Sequence, residues 1–258
     1  MSIAGSDWRF QPFDYRLMVA RGLVPGTVHV NKFGRNPAVV SGGTEEIWDG
    51  SSAYPWASIL ATANITEIVQ TSDQSDLRGK TIEVQGLDSS FAAVTQNATL
   101  DATNTTTSVV LSTALQRVFR MKVLASATCT DSIAVQSSGA TVYGLISTGN
   151  NQTLMAIYTM PAGKTGYITN YYSTVNPGGG APNTLQIKLW ARDNANSYAP
   201  QLKHTLGLNG DVDAYGRFQH YFDPYLKMTE QTDLYVDATT AGAAVDVSAG
   251  FDFYLVDN

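Results

Sequence analysis

A chain of 258 residues and 27.7 kDa is long enough to bury a core, as one large domain or two small ones. With 43% hydrophobic and only 15% charged residues, it is neither a disordered chain nor a coiled coil, and no apolar run reaches the length of a membrane-spanning helix. The net charge of −6 and a pI near 4.9 argue against nucleic-acid binding, and the opening Met1-Ser2-Ile3-Ala4-Gly5 carries no basic start or apolar stretch of a secretion leader.

The first 35 residues stand apart. Trp8, Phe10, Phe13, Tyr15 and Phe33 alternate with Arg9, Arg16, Arg21, Lys32 and Arg35, against only Asp7 and Asp14, so this stretch is +3 while the remainder is −9. Pro12, Gly22, Pro25, Gly26 and Gly34 break any long element, although Asp14 to Arg21 admits two helical turns. Residues 1–35 therefore read as an extended, basic, aromatic arm, laid over its own domain or over a neighbouring subunit. Its candidate partner-binding residues are Trp8, Arg9, Phe10, Phe13, Tyr15, Arg16, Arg21, Phe33 and Arg35.

From about Pro37 a period of two dominates. Ile82 to Gln85, Phe119 to Val123 and Leu185 to Arg192 alternate, and Val245, Val247, Ala249, Phe251, Phe253 and Leu255 share one face. Further strands are predicted near 64–70, 91–100, 108–113, 132–136, 141–147, 153–160, 165–173, 217–222 and 233–238. Turn signals such as Ser137-Ser138-Gly139, Gly149-Asn150-Asn151 and Pro161-Ala162-Gly163 punctuate them. The fold class expected is all-β, a jelly-roll-like β-sandwich with 245–255 as a central strand. The body, 36–258, is one sandwich or two β halves, about 36–150 and 151–258. The glycine-rich 176–183 reads as a loop between strands.

Chemistry-bearing motifs are sparse. There is no nucleophile elbow, phosphate loop, dinucleotide fingerprint or His-Glu-x-x-His helix. His29, His204 and His220 are far apart in sequence, and Cys129, the single cysteine, reads as a structural thiol. Glu45, Glu46 and Asp49 form an acidic loop around Trp48, without a marked second carboxylate to complete a glycosidase pair. Asn209-Gly210-Asp211-Val212-Asp213 has too few oxygen ligands for calcium and reads as a polar hairpin. Sequons at Asn64, Asn97, Asn104 and Asn151 follow from the abundance of Asn and Thr. No catalytic residue, cofactor or metal is expected.

Asn31-Lys32-Phe33-Gly34-Arg35-Asn36, then Glu45-Glu46-Ile47-Trp48-Asp49, Gly86-Leu87-Asp88, Phe119-Arg120, the string from Gln152 to Thr165 and the ending from Val247 to Asn258 occur in one order. In that order they resemble a family of virion structural proteins of tailed bacteriophages, many of them marine. The resemblance spans roughly residues 28–258. It implies a component of the particle, found on the phage head surface after synthesis in the host cytoplasm. The finer expectation is a capsid decoration (cement) protein, a homo-oligomer, most simply a trimer, whose partners are the major capsid protein or other virion proteins, with no nucleic acid or membrane partner. The alternative is a receptor-binding or fibre-type protein that meets the host surface through exposed Trp and Tyr in loops such as 48–56 and 190–198.

Overall fold

Alternation of apolar and polar side chains becomes strand throughout the computed structural model, which describes residues 14–59, 62–125, 129–177, 184–209 and 217–258. In chain order come a short helix, α1 (Tyr15–Ala20), then β1 (Thr27–Val39) and β2 (Thr44–Glu46). A 3₁₀ turn at Trp56–Ile59 leads to β3 (Ile65–Gln70), β4 (Thr81–Leu87), β5 (Ala93–Thr99), β6 (Val109–Leu115), β7 (Arg117–Val123), β8 (Ile133–Gln136) and β9 (Val142–Ile146). The chain continues with β10 (Ile157–Thr159), β11 (Lys164–Pro177), β12 (Thr184–Arg192), β13 (Pro200–Asn209), β14 (Arg217–Met228), β15 (Asp233–Ala241) and β16 (Val245–Asp257). The protein is an all-β sandwich protein.

Two pairs of sheets divide the strands. One pair has the orders β1-β16-β11-β14 and β10-β15-β12-β13, with β2 also on β15. Counting these eight main strands along the chain as first to eighth, the sheets read first-eighth-third-sixth and second-seventh-fourth-fifth. That is the strand order of a jelly roll. The expected faces are confirmed at its centre. Val245, Val247, Ala249, Phe251, Phe253 and Leu255 are all buried, and β16 lies between β1 and β11. Leu185, Ile187, Leu189 and Ala191 face them from β12, completing one apolar core.

The other pair, β6-β3-β8-β9 and β5-β4-β7, encloses a second core around Ile65, Ile68, Ile82, Val84, Met121, Ile133 and Tyr143. This unit is inserted between β2 and β10. The chain leaves the jelly roll at Ile47 and re-enters at Ala156, whose N–H donates to the Ile47 carbonyl at 2.8 Å. The two cores are therefore not the successive segments 36–150 and 151–258, because β1 and β2 belong with the later strands. A bulge in β7, where Gln85 pairs Arg120 and Gly86 pairs Val118, turns Phe119 out of the expected row with Met121 and Val123. Phe119 packs instead on the jelly-roll core, its ring 4.7 Å from that of Tyr158.

Of the segment expected to be an arm, residues 1–13 lie outside the described residues. Asp14 caps α1 by accepting from the Leu17 N–H, matching the two turns expected there. Thr27–Val39, however, is an integral strand, paired antiparallel with β16 from Thr27↔Val256 to Val39↔Val245. The body thus begins at Thr27 rather than at residue 36. Gly26 and Gly34 do not interrupt it: Gly26 makes the turn at positive φ, and Gly34 allows close approach of another backbone.

Candidate interaction surface

The described candidates of the N-terminal segment fall in two places. Tyr15 and Arg16 sit on α1, which Val19 anchors to the body and which leans on β16 through an edge-on contact of the Tyr15 and Tyr254 rings, 5.4 Å apart. Phe33 and Arg35 sit on the outer face of β1. Arg35 forms a bidentate pair with Asp246, at 2.9 and 2.7 Å, so its fork is already occupied within the chain. Arg21 is exposed beyond α1. Trp8, Arg9, Phe10 and Phe13 lie outside the described residues. Leu17 and Leu23 on and beyond α1, Val28 at the start of β1 and Val40 just past its end are each about half exposed.

The outer face of the β1-β16-β11-β14 sheet is polar and aromatic. Strand register aligns Asn31, Asp252, Asn170 and Tyr221 straight across its four strands. Asn31 and Asn170 donate to the two Asp252 oxygens at 2.7 and 3.2 Å, and Gln219 donates to Asn170 at 3.1 Å. Beside this row lie the rings of His29, Tyr254 and Tyr225, and a groove of about 540 Å³ runs over it.

The acidic loop has structural work. Glu46 accepts from the Tyr54 N–H and the Trp56 indole at 2.8 and 2.9 Å, Glu45 accepts from Asn36, and Asp49 accepts from the Leu154 N–H. These bonds hold Trp48, Tyr54 and Trp56 inside, where they are 2–6% exposed. The expectation that loop 48–56 presents exposed rings is thereby corrected: the rings are core, shared by the two units. Trp190 is likewise half-buried within β12.

One carboxylate the sequence did not single out stands opposite Glu46 in the register, Asp237 of β15. Burial pushes its pKa up to about 7, opposed by Lys188 and reinforced by Glu46. The folded protein holds this proton far more tightly than the unfolded chain, where an Asp titrates near ~4. Its contribution is therefore complete below pH ~4 and is lost as pH rises toward 7. Asp237→Asn is expected to match the native protein in thermal melts at pH 4.5 and to exceed it at pH 8 by about 2 kcal/mol. Equal stabilities at pH 8 would refute this assignment.

The histidines that sequence separates, the fold brings together. His204 of β13 and His220 of β14 stack at 3.7 Å, closing the open side of the jelly roll between its two edge strands. The Tyr171 hydroxyl meets His204 Nδ1 at 2.7 Å and Phe222 packs edge-on against His220. Burial, then the neighbouring His220, lower the His204 pKa. Stability at this edge is thus present above pH ~6.5 and declines as pH falls. The partly open setting limits the effect to about 1 kcal/mol or less. His204→Phe, which removes the titrating ring itself, is expected to flatten the decline in melting temperature between pH 7 and 5, and an unchanged slope would contradict it. Cys129 is buried, which pushes its thiol up to about 11. Among the described residues no three His, Cys, Asp or Glu side chains gather as a metal site, and no helix is long and apolar enough to cross a membrane. The acidic hairpin 209–213 falls almost wholly outside the described residues.

No protein-family model matches the chain, and no curated protein does. Solved structures with some likeness include one from Desmodium yellow mottle tymovirus, at 14% identity and a TM-score of 0.20, covering 36% of this chain and 65% of that one. This chain therefore spans just under two thirds of that protein. VP17, a capsid protein of bacteriophage P23-77, has 9% identity and a TM-score of 0.20, over 90% of this chain and 97% of that one. Isomalto-dextranase of Arthrobacter globiformis T6, complexed with panose, has 11% identity and a TM-score of 0.22, over 90% and 35%. Superpositions this loose leave the strand order as the ground for the fold assignment.

Proposed function

We propose that this protein is a structural component of a virus particle, and specifically a decoration protein on the outer surface of a tailed-phage head. The observation that carries the reading is the apolar surface at the start of the described chain: Tyr15, Leu17 and Leu23, on and just beyond α1, are 39–53% exposed. Exposed apolar side chains gathered in this way suit burial against a partner. The jelly roll, a fold used by many viral shell proteins, supports the reading by analogy of fold, as does the family resemblance of residues 28–258. Shell proteins, chiefly the major capsid protein, are the proposed partners. Arg16 and Arg21, with Arg9, supply cations for carboxylates there. A symmetric homo-oligomer, most simply a trimer, and the absence of any catalytic role belong to the same proposal.

Deleting residues 1–26, up to the first residue of β1, is expected to leave a soluble, β-rich protein that no longer co-sediments with phage heads assembled without it. Circular dichroism checks the fold and sedimentation the binding. A truncated protein that binds heads as tightly as the full chain would overturn the proposal. A receptor-binding role is the second reading, favoured by the tyrosine-lined groove on the outer sheet.

A further inference from the structure

We infer that the groove over the outer face of the β1-β16-β11-β14 sheet is a binding site for a neutral saccharide. Its wall is made of tyrosine rings. Tyr221 is 63% exposed and Tyr225 47%, and Tyr254 closes the groove beneath α1. Its floor is a fixed row of planar polar groups, Asp252, Asn170 and Gln219, tied to one another by hydrogen bonds across three strands.

That combination answers the chemistry of a pyranose. One sugar face is a sheet of C–H groups that packs on an aromatic ring, and the ring edge carries hydroxyls that pair with carboxylates and amides. Amides already held by their neighbours lose little freedom on binding, so the floor is preorganised. The volume, about 540 Å³, lies within the range of small-ligand sites. Charge selects among sugars. Asp252 and Asp223 line the groove against Arg16, on a chain of net charge −6, which disfavours acidic saccharides and leaves neutral ones. The geometry of the groove carries this inference independently of attachment to a phage head.

The test needs no particle. Full-length protein is applied to a printed array of neutral hexose oligosaccharides (glucans, mannans and galactans) together with acidic oligosaccharides. Binding to at least one neutral member is expected, with weaker or no signal on the acidic ones. Tyr221→Ala and Gln219→Ala, both at exposed positions, are expected to weaken it about tenfold, and Val110→Ala, at an exposed position of the inserted unit, to leave it unchanged. Absence of binding to every neutral oligosaccharide overturns the inference, as does binding that survives both groove substitutions. Tyrosine NMR signals from the groove that move on deletion of residues 1–13 but on no added saccharide would assign the groove to the chain's own N-terminal segment, and would overturn it as well.

Discussion

Asp233→Ala is expected to lower stability by about 3–5 kcal/mol, enough to consume much of the stability of an ordinary domain. Asp233 on β15 and Arg117 on β7 form an ion pair at 2.8 Å, with side chains 0% and 2% exposed. The second guanidinium nitrogen meets the other carboxylate oxygen at 3.2 Å, and the Thr159 hydroxyl donates to Asp233 at 2.7 Å. The rings of Phe91 and Tyr198 lie 5.4 and 5.5 Å from the guanidinium carbon. Removing the carboxylate takes the countercharge from a desolvated cation that keeps its hydrogen bond to the Gln116 carbonyl. Because the pair joins a strand of the inserted unit to one of the jelly roll, the loss falls on the contact between units. Urea unfolding followed by tryptophan fluorescence measures it, since Trp48 and Trp56 lie in the shared core. A loss under about 1 kcal/mol would show that the pair contributes little. The double variant Arg117→Met, Asp233→Leu is expected to recover much of the loss, because an uncharged pair needs no compensation.

The second large effect is expected from a single methyl group. At Gly34 an added Cβ would stand 2.3 Å from the Ala156 nitrogen and 2.4 Å from the Ile47 oxygen, all of it backbone. Those two atoms form the hydrogen bond at the neck of the inserted unit. Neither flexible side chains nor solvent can yield there, so Gly34→Ala has to push β1 off the neck, at about 3 kcal/mol or more. Gly207→Ala, where nothing stands within 4 Å, is the matched control and is expected to change stability by under about 1 kcal/mol. Equal melting temperatures for the two variants would refute the close approach.

These two sites also mark what sequence could and could not convey. The strands β12 and β16 were legible because every second residue is apolar and all of those are buried. β1 was not, because its polarity is inverted. Lys32 is buried, its amine donating to the Phe119 carbonyl and pushed down to about 7 by burial, while Phe33 faces outward. A lysine inward and a phenylalanine outward, bracketed by Pro25, Gly26 and Gly34, look like an arm. β13 was missed for related reasons: it opens on Pro200, carries His204 and Gly207, and lies at a sheet edge with β12 as its one partner. The Asp237–Glu46 opposition and the His204–His220 stack are products of register, which no local pattern encodes. The groove row was hidden likewise, since Asn31, Asn170, Gln219 and Asp252 are ordinary polar positions until four strands are laid side by side.

The pairing of β1 with β16 bears on the order in which the protein is made. The inserted unit contains only neighbouring stretches of chain, β3 to β9, and all of it is synthesised before β10. It is free to fold early, which also shortens the effective loop between Ile47 and Ala156. The jelly roll has no such freedom. Its first strand waits unpaired until β16 is made, and β11 waits for the same partner, because β16 lies between them. Nascent chains stalled anywhere before Val245 therefore carry two open strand edges and an uncovered row of core positions. Completion of this one strand converts a sticky intermediate into a closed sandwich.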